Sequence, residues 1–330
     1  MNRTRIAVLV FALAVGAALA LWWLLRVTAR PARVPPATPP VPAEIPPDSP
    51  ESISRLRREI EQLRQGGKSS VVYRVGTGEE LDQYRRWVDA QLRLATRGAG
   101  AEIAAPTGFR LLELDNSVRL LAEVQDQKRG AGVVVLRRGA AQSWVIEVPH
   151  SFFDEGTLEI GLNAFAWSQA RALIVNTVHR YRSRSSDAPE GADSDDDEAA
   201  ASDVAHAEAS FFLTTHAACV DGLGDVGVVQ LHGFSDASAP SADLVLSAAG
   251  SNADPVPVER ALERALGIRV AVYPTEIRKL GGTKNQQARY SIKAARPFLH
   301  VEMSRSLRKR LNNDPDQLRL FVAALLGSGG

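Results

Sequence analysis

"VIEVPHSFFDEGTLEIGLNAFAWSQARALIVNTV", residues 145–178, decides the fold class, because it reads as a strand, a helix and a second strand in succession. Val145, Ile146 and Val148 form a short apolar run that stops at Pro149, where the backbone loses the donor a sheet ladder needs. "TLEIGLNAFAWSQA" has the apolar spacing of a helix, and "RALIVNTV" returns to a buried-strand pattern. The flanking sequence extends this grammar. "SSVVYRVG", "FRLLEL", "SVRLLAEVQ", "AGVVVLRR" and "SWVIEVPH" read as strands, with a helix at "EELDQYRRWVDAQL". Downstream come a helix at "VAHAEASFFLTTHAACV", strands at "VGVVQLHGF" and "ADLVLSAA", and a helix at "VPVERALERAL". Strands at "RVAVYP" and "FLHVEMS" come next, and the chain closes with a helix near "DQLRLFVAALL". Alternating strands and helices imply an α/β domain over residues 69–330, with a mixed, largely parallel sheet flanked by helices.

The N-terminal part has different chemistry. Residues 6–25, "IAVLVFALAVGAALALWWLL", carry no charge, and about 20 such residues cross a hydrocarbon core of about 30 Å. Arg3 and Arg5 precede the run, and Trp22 and Trp23 stand where an aromatic belt is expected. Ala18-Leu19-Ala20 resembles a signal-peptidase site, but the apolar run continues past it. The expectation is therefore an uncleaved signal-anchor over residues 1–28. It would cross the inner membrane once and leave the globular part on the periplasmic or extracellular side. Residues 31–50 contain nine prolines, an extended spacer within the 29–68 linker. The linker also holds "SISRLRREIEQLRQGG", whose Ile53, Leu56, Ile60 and Leu63 recur at helical spacing. A helix at 51–65 could pack on the domain or mediate self-association. The acidic stretch near 184–202, with five acidic residues among 193–198, reads as a solvated insertion.

Composition excludes several function classes. The 330 residues carry a net charge of +1, so no bulk field draws in nucleic acid. A single cysteine, Cys219, permits neither an intramolecular disulfide nor a cysteine-built zinc site, and its apolar surroundings suit a packed thiol. The chain has no Gly-x-Gly-x-x-Gly, no P-loop and no Gly-x-Ser-x-Gly elbow, which argues against nucleotide binding and serine hydrolase chemistry.

The histidines point elsewhere. His150 and His232 each end a predicted strand and His179 comes just after a third. In open α/β sheets, ligands bind beyond the carboxyl ends of the strands. Catalytic zinc commonly takes three protein ligands, histidine foremost. With His150 and His232 as nitrogen ligands, Asp154 or Glu155 could supply the third, or the two acids could cap the next helix. On "PFLHVEMSRSLR", residues 297–308, alternation puts His300, Glu302 and Ser304 on one face and Leu299, Val301 and Met303 on the other. Glu302 could pair with Arg305, Arg308 or Arg289, or act as a general base. "RKLGGTKNQQARY", residues 278–290, reads as a polar loop in which Arg289 could meet a substrate carboxylate.

A strand ending in histidine with a nearby acid, a later strand-end histidine and a glutamate on a late strand occur here in a fixed order. That order resembles the zinc carboxypeptidase-like superfamily, which includes N-formylglutamate amidohydrolases and poly-γ-glutamate hydrolases. "VPHS" at 148–151 is similar to the start of the amidohydrolase pattern, "VVQLHGF" to the strand bearing the second zinc histidine, and "LHVEMSRSLR" to the strand bearing the catalytic glutamate. The resemblance implies one zinc ion on His150 and His232 and Glu302 as base, with a small peptide or acyl-amino-acid substrate. It departs from the carboxypeptidase spacing H-x-x-E, since Phe153 stands at the acid position and Asp154 gives H-x-x-x-D. "NTVHRYR" offers Asn176, His179 and Arg180 in place of the usual Asn-Arg pair, with Arg180 as a candidate for the substrate carboxylate. The expectation is a membrane-anchored amide hydrolase. The alternative is a non-catalytic envelope protein that keeps the fold for binding.

Overall fold

The computed structural model describes residues 50–64, 73–98, 100–182 and 201–327. The apolar run at 6–25, nearly all of the proline-rich spacer and the acidic stretch up to residue 200 lie outside the described residues. No helix among the described residues is long and apolar enough to cross a membrane.

Nine strands form one sheet in the order β1-β2-β3-β5-β4-β6-β9-β7-β8. They are β1 (Phe109–Glu113), β2 (Val118–Glu123), β3 (Val133–Arg137), β4 (Gln142–Val148), β5 (Ala170–Val175), β6 (Gly227–Phe234), β7 (Leu244–Ser247), β8 (Val270–Tyr273) and β9 (Phe298–Ser304). The helices are α1 (Pro50–Arg64), α2 (Gly78–Arg97), α3 (Thr157–Ser168), α4 (Phe211–Gly222), α5 (Pro255–Leu266), α6 (Gln286–Lys293), α7 (Arg305–Asn313) and α8 (Pro315–Leu326). The stretch at 145–178 is a strand–helix–strand unit, with β4 and β5 paired in parallel. The sheet is less parallel than expected. Its centre, β5-β4-β6-β9, is parallel, as is β7–β8, but β1–β2, β2–β3, β3–β5 and β7–β9 are antiparallel. The β1–β2 hairpin owes its direction to Asp115, whose Oδ1 accepts from the Ser117 and Val118 backbone N–H groups and closes a tight turn.

The two sheet faces carry separate cores. On one, Ile146, Val148, Val229, Leu231, Val301 and Met303 pack with α1, α3, α7 and α8. On the other, Val134, Val145, Ile174, Val228 and Phe298 pack with Tyr84 and Trp87 of α2 and Phe211, Phe212 and Cys219 of α4. Cys219 is fully buried, and burial raises its thiol pKa, as suits a packed residue. The α1 helix belongs to the domain, although composition assigns it to the linker and starts the domain at 69. Leu56, Ile60 and Leu63 are buried against the first core, so the apolar face available for self-association in the sequence is occupied within the chain. Each such side chain contributes about 1.5–3 kcal/mol on burial.

Three further departures from the sequence reading have local causes. Residues 73–75 of the expected "SSVVYRVG" strand are irregular and lead into the Thr77–Glu80 capping box of α2. The helix expected from residue 204 begins only at Phe211, because Ser210 caps it while 203–207 close a separate turn on the Asp203 carbonyl. The polar loop at 278–290 becomes α6 from Gln286 onward, with Asn285 as N-cap.

Candidate metal centre

Because β4, β6 and β9 run parallel side by side, their carboxyl ends open on one edge of the sheet. His150 lies just past the end of β4. In β6 and β9, His232 sits opposite Glu302 and Gln230 opposite His300. Their common face is therefore polar, while Leu231 and Val301 supply the opposite core.

The chain turns immediately after β4. The Phe153 and Asp154 N–H groups both donate to the His150 carbonyl, at 3.0 and 2.8 Å. One turn brings residues four apart onto the same side, so H-x-x-x-D places Asp154 beside His150. Asp154 Oδ2 lies 3.4 Å from His150 Nδ1 and 3.6 Å from His232 Nδ1. The cap reading of Asp154 is not what forms: the N-cap of α3 is Gly156, φ 88°, with no side-chain cap. Glu155 instead pairs with Arg305 at the surface, 3.0 Å apart. Phe153, at the acid position of the carboxypeptidase spacing, turns outward and is 41% exposed, edge-on to Tyr181 at 5.3 Å.

These three side chains suit a cation. Nitrogen and oxygen ligands about 2.0–2.1 Å from a tetrahedral ion stand roughly 3.3–3.4 Å from one another, close to both separations. His150 Nδ1 and Asp154 Oδ2 are buried and have no hydrogen-bond partner. Lone pairs converging in a buried space require a positive charge between them.

The surroundings set the protonation states a ligand needs. Burial would raise the Asp154 carboxyl, but His150 and His232 hold it well below the usual carboxylate range. Burial pushes His232 down to about 4, which keeps it neutral. For His150, burial and the Arg180 charge act downward, but Asp203 and Asp154 outweigh them and the imidazole sits above its ordinary value. His150 is thus the group on which a proton competes with a cation.

Asp203 carries no signal in the sequence, where it merges with the acidic stretch before it. Its Oδ1 faces His150 Nε2 at 2.8 Å. Burial acts to raise Asp203, but His150, His206 and Arg180 keep it far below its ordinary value. Arg180 is thereby reassigned: its Nε and Nη2 donate to Asp203 Oδ2 at 3.1 and 2.6 Å, so it braces this carboxylate. Asn176 braces the same loop, donating to the Pro149 and Val178 carbonyls. A carboxylate behind a ligating histidine fixes its tautomer, and loss of such a partner typically costs about 10–100-fold in metal affinity. Asp203→Asn is expected to weaken zinc binding by about that factor with the fold unchanged by circular dichroism, measured by competition with a chromophoric chelator. Equal affinity in the two proteins would exclude this role.

Glu302 is buried, and its Oε2 has no hydrogen-bond partner. None of the three arginines near it in the sequence reading forms an ion pair with it. Arg305 goes to Glu155. Arg308 donates to the backbone carbonyls of Glu155, Phe234 and Met303. Arg289 is exposed on α6, opposite the buried Gln287, Ala288 and Ser291. Arg289 is therefore not brought to the centre, because the segment coils into a helix that turns it to solvent. Burial, reinforced by the Asp154 charge, raises the Glu302 carboxyl well above its ordinary value.

One ligand atom each of His232, His300 and Glu302 also lie within 4.8 Å of one another. His232 cannot serve a second ion there, since Nδ1 faces Asp154 and Nε2 bonds Gln230 at 2.7 Å. The His300 ring packs against His232 with centroids 4.4 Å apart. It is backed by Gly282, φ 64°, where a Cβ would come within 2.7 Å of the ring. Gly282 is thus a close-packing requirement of the site wall.

No family model matches this chain, and no curated protein matches it. Solved structures do. N-formylglutamate amidohydrolase from Ralstonia eutropha JMP134 is similar at 16% identity and a TM-score of 0.39, over 60% of this chain and 97% of the other. A bacteriophage poly-γ-glutamate hydrolase is similar at 14% identity and 0.38, over 60% and 88%. A metallo-carboxypeptidase from Burkholderia cenocepacia is similar at 10% identity and 0.37, over 78% and 69%. These neighbours are the kinds of protein that the strand-end motifs of the sequence resemble.

Proposed function

We propose that this chain is a zinc-dependent hydrolase of amide bonds in small peptides or N-acyl-amino acids. We further propose that residues 6–25 anchor it in the inner membrane and leave the domain on the extracytoplasmic side. The anchoring rests on the uncharged run alone. The observation that carries the chemistry is the convergence of His150 Nδ1, Asp154 Oδ2 and His232 Nδ1 beside the Glu302 carboxyl, whose Oε2 has no hydrogen-bond partner.

His150, Asp154 and His232 would hold the ion. Zinc, when bound, supplies Lewis acidity toward a carbonyl oxygen and toward water. Asp203, braced by Arg180, holds the His150 ring in place. Glu302 takes a proton from water as the oxygen attacks the carbonyl carbon. As the C–N bond breaks, the same carboxyl returns that proton to the departing amine, which leaves as a neutral group. A carboxyl whose proton affinity is raised by burial suits both halves of this exchange.

The purified full-length protein is expected to contain about one zinc per chain after loading and dialysis. It should release amine from a panel of N-acyl-amino acids and short peptides, lose that activity on chelation and regain it with zinc. Protein that retains no stoichiometric metal after loading would overturn the proposal.

A further inference from the structure

His232 does not have a carboxylate behind it. Its Nε2 lies 2.7 Å from Oε1 of Gln230, two residues earlier on the same face of β6. The orientation of the Gln230 amide is fixed by partners that can act in only one sense. The Ala288 backbone N–H can only donate, so the Asn285 atom facing it at 3.0 Å is Oδ1. Asn285 Nδ2 therefore faces Gln230 at 2.5 Å, and the atom it meets must be the acceptor Oε1. A second route starts from the Val204 carbonyl, which accepts from Gln287 Nε2 at 2.8 Å. That leaves Gln287 Oε1 to accept from Gln230 Nε2 at 3.3 Å. Gln230 Nε2 also donates to Glu147 Oε2 at 2.8 Å, and Glu147 Oε1 meets His216 Nδ1 at 2.8 Å. Gln230, Gln287, Asn285 and Glu147 are each at most 1% exposed, so bulk water does not compete for these bonds. Both routes give one answer. Oxygen of Gln230 faces His232, the proton of the neutral imidazole is on Nε2, and its Nδ1 lone pair is directed at Asp154.

We propose that Gln230 is a positioning residue of the metal centre, holding His232 in the Nε2–H tautomer through an amide clamped by the N-cap of α6 and by Glu147 of β4. The inference rests on the zinc reading for its purpose, but the tautomer is a property of the protein without metal. The two-sided clamp separates the variants. Asn285→Asp keeps an oxygen for the Ala288 N–H, yet replaces the donor facing Gln230 with a second acceptor. Gln230 cannot relieve this by turning its amide over, because Nε2 is also held by Glu147 and Gln287, so the cap change alone leaves an oxygen facing His232. Gln230→Met removes the acceptor at similar side-chain length.

The test uses the full-length protein without zinc, with long-range ¹⁵N imidazole spectra, and then chelator competition for zinc. Wild type is expected to show His232 protonated on Nε2. Gln230→Met is expected to shift His232 toward Nδ1–H, which cannot bind metal through Nδ1, and to weaken zinc binding by about 10–100-fold. Asn285→Asp, with the amide still held by Glu147 and Gln287, is expected to keep the Nε2–H tautomer. Helix content by circular dichroism should be kept in Asn285→Asp. Wild-type His232 protonated on Nδ1, a shift to Nδ1–H in Asn285→Asp, or a folded Gln230→Met variant with an unchanged tautomer and unchanged zinc affinity, would overturn the proposal. Wild type that shows Nε2–H but takes up no zinc would remove the metal reading and leave the positioning of His232 intact.

Discussion

His232→Ala is expected to weaken the zinc binding proposed above. A tightly held structural zinc site is worth about 10–16 kcal/mol, or roughly 2.5–4 kcal/mol for each of four ligands. Removing one ligand then weakens binding by two to three powers of ten, at about 1.4 kcal/mol per tenfold. The site has few reserves. His150 and Asp154 remain, but His300, the nearest other imidazole, packs against His232 at 4.4 Å and stands on the Glu302 side of the centre. Asp154→Asn should have a comparable effect for a different reason. It keeps the side-chain shape but removes the negative charge and one of the two lone-pair oxygens, in a buried space where that charge is what attracts a cation. Arg289→Ala is the matching control, because Arg289 is exposed on α6 and should leave zinc content unchanged. Metal content after dialysis and chelator competition give the result. Zinc affinity in His232→Ala equal to that of wild type by chelator competition would show that the converging atoms are not a metal centre.

The sequence and the structure agree where periodicity carries the information. Period-two alternation in "FLHVEMS" puts His300 and Glu302 on one face and Val301 and Met303 on the other, and the sheet divides the side chains that way. Strand-end position identifies His150 and His232, because parallel neighbours must open on the same edge. The choice between ligand and cap for Asp154 is not legible, since a chain turning within five residues can serve either end. The structure shows Asp154 turned toward the two histidines and Glu155 turned to Arg305. Asp203 is hidden for a compositional reason: one inward-facing carboxylate just after a run of acids has no local mark. Gln230 does have one, since it shares the strand face of His232 two positions away. The same alternation that places His300 beside Glu302 places it. Arg289 misleads because "NQQARY" is polar enough to resemble a loop, although Asn285 is a good N-cap and the residues after it are good helix formers. The α1 helix shows the limit of linker reasoning. Its amphipathic spacing is visible, but only tertiary contact shows that its apolar stripe covers the domain's own core.

Glu302→Gln is expected to separate catalysis from assembly. The substitution changes one atom of a side chain that bonds neither the candidate ligands nor an arginine, so the zinc content should remain that of wild type. Amide hydrolysis should fall by about 10²–10⁴-fold, the usual contribution of a positioned general base, because a carboxamide can neither take the proton from water nor return it to the amine. Stability should move in the opposite direction. Glu302 Oε2 is buried without a hydrogen-bond partner, and a buried polar group left unpaired costs about 1–3 kcal/mol, more when it is charged. Replacing the acid with a neutral amide relieves part of that cost, so the variant should unfold at the same temperature as wild type or a higher one. Loss of activity together with loss of stability would describe a damaged core. Loss of activity with stability kept or increased is the outcome expected of a fold that carries a poorly solvated carboxyl for the sake of its chemistry. Zinc-loaded Glu302→Gln that hydrolyses the same substrates at the wild-type rate would exclude Glu302 as the base, and attention would pass to His300, the next buried proton acceptor on the same strand face.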